Sequence, residues 1–207
     1  MRSKKGNQVD PEVAEKFIKI LKEETDESLL ETYSESFCFL LNKGRGNQAI
    51  NALSFIENSL NNPKFSLPSV LKNLICALYG MLYFENRAGT GKDPQLTKRL
   101  KTNITTIGII VQKSKNKELI AECLNFLAET GEEEAVTIIF RLIKNLPEEA
   151  YLDLESIIKR RLFSSEWRLY HNFKNLILQK LIELKDYPHL KEREKKLEEY
   201  AKDKAQL

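Results

Sequence analysis

The first candidate for chemistry is the stretch Ala88-Gly-Thr-Gly-Lys92, in which two closely spaced glycines precede a lysine. In a phosphate-binding loop, glycine-rich backbone surrounds the phosphates, and a Ser or Thr after the lysine binds magnesium. Here Asn86 stands where the first glycine of that motif belongs, and Asp93, whose carboxylate would repel phosphate, follows Lys92. No strand is predicted before this segment. The pattern therefore indicates a helix–helix linker rather than a nucleotide site.

The side chains suited to nucleophilic or metal chemistry are few and scattered. Cys38, Cys76 and Cys123 each lie in an apolar helical pattern, which is typical of buried, reduced cysteines. A catalytic thiol is the alternative, but no histidine lies near any of the three in the sequence. His171 and His189 have no paired acidic residues at metal-ligand spacing. The sequence thus predicts no catalytic site, no cofactor and no metal site.

Charge is distributed unevenly, although the net charge of the 207 residues is only +3. Residues 94–117 include six basic and no acidic side chains, whereas residues 118–134 include six acidic and no basic ones. This opposition either holds two successive helices together in solvent or orients a charged protein partner. A second basic cluster, residues 159–161, would permit phosphate binding if it aligned with the first. The residues predicted to bind a partner are Lys98, Arg99, Lys101, Lys113, Glu118, Glu122, Lys159, Arg160 and Arg161.

Helices must position these side chains, because apolar residues recur at three- and four-residue spacing along most of the chain. Glycine and proline are few, and most of them stand at predicted helix ends. Residues 103–111 are β-branched and would suit a strand in isolation, but no other segment offers a strand partner. Helices are predicted over 11–24, 26–42, 48–61, 67–86, 94–113, 117–130, 132–145, 147–163, 166–185 and from 188 onward.

The short connections between these helices make sequential neighbours antiparallel. We expect an all-α fold of about ten helices, packed as antiparallel pairs. Residues 1–9 are predicted to be a flexible tail and 10–187 a single helical-repeat domain. Residues 188–207 are predicted to form a polar C-terminal capping helix, with partner binding or self-association as the alternative role.

Residues 124–143 read Leu-Asn-Phe-Leu-Ala-Glu-Thr-Gly-Glu-Glu-Glu-Ala-Val-Thr-Ile-Ile-Phe-Arg-Leu-Ile. A helix ends at Gly131, acidic residues follow, and a second helix begins near Ala135, whose small side chain permits close helix packing. This pattern resembles the HEAT-like (armadillo-type) helical repeats over about residues 117–145. The resemblance implies helix pairs stacked in a short right-handed α-α superhelix that binds proteins and sometimes nucleic acid. A second, weaker resemblance covers residues 46–53, which fit either that family or a tetratricopeptide helix.

Three functional hypotheses follow from these features. The first hypothesis is a non-enzymatic protein-binding scaffold or adaptor that uses a groove between helices and two charged ridges, the basic residues of 94–117 and the acidic residues of 118–134. The alternative is a nucleic-acid-binding helical module that uses the basic residues 98–101 and 159–161. An enzyme without a recognised motif is a third hypothesis and would centre on His171. No apolar stretch follows the basic N-terminus and no run reaches about 18 apolar residues, so we expect a cytoplasmic protein without membrane association.

Overall fold

The computed structural model describes residues 11–43, 49–87 and 93–143, and within these residues the protein is all-helical, without a strand. The all-α prediction is confirmed there. The predicted tail 1–9, the linker 88–92, the helices predicted beyond residue 145 and the capping helix 188–207 lie outside the described residues. The helices are α1 (Pro11–Glu23), α2 (Glu27–Lys43), α3 (Ala49–Ser59), a 3-10 turn (Pro63–Phe65), α4 (Pro68–Arg87), α5 (Pro94–Lys101), α6 (Ile104–Lys113), α7 (Lys117–Thr130) and α8 (Glu133–Ile143).

Polar side chains define the beginnings of several helices. Before α2, the Asp26 carboxylate accepts a hydrogen bond from the backbone N–H of Leu29 at 3.0 Å. The Asp93 carboxylate accepts two such bonds, at 2.9 and 3.1 Å, and Pro94 occupies the first turn of α5, as predicted. Asn116 caps α7 in the same way. These bonds satisfy backbone donors that the helices themselves leave unpaired.

The prediction of one continuous helix over 94–113 is wrong, because the chain breaks between α5 and α6 at Thr102 and Asn103. The Thr102 hydroxyl donates to the carbonyl oxygen of Arg99 at 2.7 Å, and the Asn103 side-chain amide donates to that of Leu100 at 3.1 Å. The backbone N–H groups of both residues bond to the same two carbonyls in a tighter, three-residue register. Local side-chain bonds of this kind compete with the α-helical ladder.

The chain forms two compact units, Met1–Ile107 and Gly108–Leu207, and each is described by itself. In the first unit α4 packs against α2, α3 and α5, and α1 packs against α2 and α3. Three phenylalanines join α2, α3 and the 3-10 turn, because Phe55 makes edge-to-face contacts with Phe37 and Phe65 at centroid distances of 5.7 and 5.6 Å. Such aromatic pairs fix ring orientation as well as burying apolar area.

In the second unit α7 and α8 pack against each other, and the α7 face that meets the core is almost wholly buried. Gly131 ends α7 at a φ of 65°, as predicted, and Ala135 at the start of α8 is fully buried. Gly108 of α6 lies so close to α8 that an added Cβ would stand 2.8 Å from Ile138 Cδ1. The single domain over 10–187 and the superhelical arrangement stay predictions.

Candidate functional site

The predicted basic residues of α5, in the first unit, differ in their exposure and in their partners. Lys98 is exposed and Lys101 is half-buried. The Arg99 guanidinium forms an ion pair with the Glu57 carboxylate of α3, through both Nε and Nη2, and Nη2 also donates to the Ser54 hydroxyl at 2.8 Å. A forked guanidinium–carboxylate pair fixes geometry as well as charge. Arg99 therefore joins α5 to α3 within the protein.

The remaining predicted partner-binding residues fall in the second unit or outside the described residues. Lys113 at the end of α6 and Glu118 at the start of α7 are exposed, and Glu122 is half-buried. The basic cluster Lys159, Arg160 and Arg161 and the histidine His171 lie outside the described residues. A combined surface of α5 and that cluster therefore stays a prediction.

A groove of about 430 Å³ lies between α1 and α3 in the first unit. Its floor consists of two buried apolar side chains, Ile18 and Phe55, whose exposed fractions are 9% and 5%. Phe55 packs between Phe37 and Phe65, and these edge-to-face contacts set the orientation of its ring.

The two walls of the groove are polar, and each comes from one face of one helix. On α1, Glu15, Lys19 and Lys22 follow one another at four and three residues, which places them on one side of the helix. All three are exposed. The helix amphipathicity that buries Ile18 therefore also sets these charged side chains at the edge of the floor.

The α3 wall carries uncharged hydrogen-bonding groups. Asn51, Ser54 and Asn58 follow at three and four residues along that helix. Each asparagine amide offers both donors and an acceptor, so it can bond to the N–H and the C=O of a peptide group. The Ser54 hydroxyl accepts the bond from Arg99, which ties this wall to α5. The chemistry available here is hydrogen bonding and charge pairing over an apolar floor.

Two hydrogen bonds show which ends of the helices meet. At one end, the Asn51 amide donates to the Glu15 carboxylate at 3.3 Å. At the other, the Lys64 ammonium donates to the Lys22 backbone carbonyl, at the C-terminal end of α1. One end of the groove therefore holds a carboxylate bonded to an amide, and the other holds cationic side chains.

Sequence reasoning did not find this groove. The available signal was the polar series Asn51, Ser54 and Asn58 at helical spacing on a largely apolar helix. The signal became meaningful only when α1 was placed beside α3, because a groove needs two walls from segments far apart in the chain.

A half-buried aromatic series on α4 was also missed. Tyr79 and Tyr83 lie one helical turn apart with ring centroids 5.9 Å from each other, and Phe84 packs edge-on to Tyr83. The Arg87 guanidinium lies 3.5 Å from the centre of the Tyr83 ring. The arrangement is a cation–π contact at the end of the helix.

The three cysteines are free thiols. Cys38 and Cys123 are buried, as predicted, whereas Cys76 is only half-buried. Burial, reinforced by the neighbouring Glu122 carboxylate, raises the pKa of the Cys123 thiol far above its ordinary value. A nucleophilic role needs the thiolate, so Cys123 is unsuited to catalysis. Among residues 11–43, 49–87 and 93–143, no group of three or more His, Cys, Asp or Glu side chains could hold a metal ion.

Comparisons with known proteins identify no family for this chain. No protein-family model matches it, and no curated protein matches its sequence. A crystal structure of an engineered protein is similar over 93% of this chain and 97% of its own length, with 13% sequence identity and a TM-score of 0.48. In the described part of the chain, no helix is both long and apolar enough to cross a membrane.

Proposed function

We propose that the protein is a binding scaffold that holds a segment of a partner protein in the groove between α1 and α3. The observation that carries the proposal is the groove itself, with a packed apolar floor and two polar walls. The proposal retains the HEAT-like stacking of helix pairs and the cytoplasmic location expected from the sequence. The exposed Lys98 of α5, in the same unit as the groove, would guide the approach of the partner.

The composition of the groove favours a polypeptide over a small molecule. Pockets for small molecules are lined mainly by apolar and aromatic side chains. Here Ile18 and Phe55 are the apolar members of an eight-residue lining, and the other six are polar or charged. A peptide matches such a surface because its backbone supplies a hydrogen-bonding group at every residue.

The proposal is tested with peptides selected on the intact protein from a random display library. Their binding is then measured by fluorescence polarisation on the wild type and on the double variant Asn51→Ala/Asn58→Ala. We expect at least about tenfold weaker binding to the variant, since two amide contacts of about 1 kcal/mol each are lost. Asn61→Ala, an exposed asparagine just beyond α3 and outside the groove lining, is the matched control.

Two results would overturn the proposal. The first is equal affinity of the selected peptides for the wild type and the double variant, which would place the binding site elsewhere. The second is binding of DNA or RNA that weakens steeply with salt and is lost in Lys98→Glu, which would establish the nucleic-acid alternative. Arg99 is unsuitable for this test, because charge reversal there would also break the ion pair with Glu57.

A further inference from the structure

We infer that the segment held in the groove is an extended peptide with acidic side chains, an inference that rests on the proposed function. Four features of the first unit carry it: the spacing of the two asparagines, the cationic end of the groove, the apolar floor, and the length of the groove walls.

The spacing of Asn51 and Asn58 matches an extended chain. Seven residues of α-helix rise about 10.5 Å. Three residues of an extended peptide span about 10 Å. Side-chain amides on these two residues can therefore bond to peptide groups three residues apart in an extended segment. The interior of a helical ligand offers few such groups, because its backbone bonds are already made within the helix.

The charges of the groove favour an acidic ligand at one end. Lys19 and Lys22 stand on the α1 wall, and Lys64 reaches the C-terminal end of α1, where its ammonium bonds to the Lys22 carbonyl. The Glu15 carboxylate at the opposite end is already bonded to the Asn51 amide. No charged side chain lines the α3 wall. A carboxylate on the ligand would thus meet two or three ammonium groups at the Lys22 end of the groove.

The apolar floor and the length of the walls indicate the composition and size of the ligand. Ile18 and Phe55 would cover one apolar side chain of the ligand. The part of α1 that lines the groove, from Glu15 to Lys22, extends over about 10.5 Å, which an extended peptide spans in about three residues. The ligand is therefore a short extended segment in which acidic residues stand beside a central apolar residue.

The test uses three fluorescein-labelled synthetic peptides of about six residues. Each has valine at its centre and differs from the others only in carrying glutamate, glutamine or lysine at the flanking positions. We expect the glutamate peptide to bind at least about tenfold more tightly than the glutamine peptide, and the lysine peptide to bind most weakly. Nuclear magnetic resonance of the bound glutamate peptide should show an extended backbone.

A charge-reversed protein supplies a gain of binding that an unfolded variant could not produce. In Lys19→Glu/Lys22→Glu the order should invert, so that the lysine peptide binds more tightly than the glutamate peptide. Lys16→Glu is the matched control and should keep the wild-type order, because Lys16 is an exposed lysine of α1 outside the groove lining.

Each contrary outcome is distinct. Equal binding of the glutamate and glutamine peptides, with both weakened by Asn51→Ala/Asn58→Ala, overturns the acidic preference and leaves the scaffold proposal intact. An unchanged preference in Lys19→Glu/Lys22→Glu, or a helical bound peptide, also overturns this inference. Displacement of the glutamate peptide by an RNA oligonucleotide would assign the lysines to a nucleic acid. Failure of all library peptides to bind overturns the scaffold proposal itself.

Discussion

Gly131 shows how one residue can be required for its backbone alone. Its φ of 65° lies in the left-handed region, and no described atom lies within 4 Å of the place a Cβ would take. Only the conformation, and not the surrounding space, therefore restricts this position. It is also the turn on which the resemblance to HEAT-like repeats depends.

We predict that Gly131→Ala lowers the free energy of unfolding by about 1 kcal/mol, because an L side chain disfavours the left-handed region. Gly131→Asn should cost less, since asparagine adopts this conformation more readily. Urea denaturation of the two variants measures the difference. Equal losses would show that packing, rather than φ, decides the residue at this position.

The burial of Cys123 makes the free energy of unfolding depend on pH. Its thiol is fully buried, and desolvation of the charged form raises the pKa of the thiol far above the ordinary value of about 8.5. The folded protein therefore keeps this proton at a pH where the unfolded chain loses it. The stabilising contribution is complete below about pH 8.5 and declines as the pH rises above that value.

We expect the free energy of unfolding to fall by up to about 1.4 kcal/mol per pH unit above pH 8.5 through this group. Cys123→Ala should remove that part of the slope, while Cys76→Ala, at a half-buried thiol, should keep it. Urea denaturation between about pH 7.5 and 10 provides the measurement. An identical slope in Cys123→Ala and the wild type would contradict the assignment.

At the scale of elements, a buried polar pair sets how α2 meets α4. The Asn73 side-chain amide donates to the Ser34 hydroxyl at 2.9 Å, and this hydroxyl donates to the Glu31 carbonyl oxygen at 2.8 Å. Both side chains are buried in the interface between the two helices. A buried hydrogen bond of this kind favours one register over others, because sliding the helices would leave polar groups unpaired.

We predict that Asn73→Ala destabilises the protein by about 1–3 kcal/mol, since it removes a buried bond and leaves a small cavity. Ser34→Ala should cost less in the Asn73→Ala background than in the wild type, with a coupling of about 1 kcal/mol. Chemical denaturation of the four proteins gives that coupling directly. Strictly additive effects would mean that the pair does not stabilise the interface.

Gly108 sets how closely α6 approaches α8. Alanine there would gain about 1 kcal/mol in helix propensity, but its Cβ would stand 2.8 Å from Ile138 Cδ1. Ile138→Val removes that atom. We predict that Gly108→Ala is more favourable by about 1 kcal/mol in the Ile138→Val background than in the wild type. Thermal unfolding of both pairs checks this, and equal effects in the two backgrounds would rule out the close contact.

At the scale of the whole molecule, the all-helical character is the property best supported. We expect a far-UV circular dichroism spectrum with the double minimum of a mostly helical protein over the complete chain. The spectrum includes the segments predicted to be helical beyond residue 145, such as 166–185. A dominant β spectrum would contradict the all-α interpretation.

The sequence by itself determined where most helices begin and end. Apolar spacing, the cap-and-proline pair at Asp93 and the glycine at 131 act within a few residues, so a local pattern is enough to predict them. The break between α5 and α6 at Thr102 and Asn103 was not predicted, because the same side chains could equally have been solvated on a continuous helix. There the competing bonds to backbone carbonyls decided the outcome.

The tertiary structure alone decided which side chains meet. Arg99 was predicted to bind a partner, but it pairs with Glu57, 42 residues earlier in the chain. The groove likewise depends on Glu15 and Asn51, which are 36 residues apart. Periodicity identifies which face of a helix is buried, and it carries no information on which other helix covers that face. Helix packing decides which helices meet, and it therefore also decides where the proposed binding groove forms.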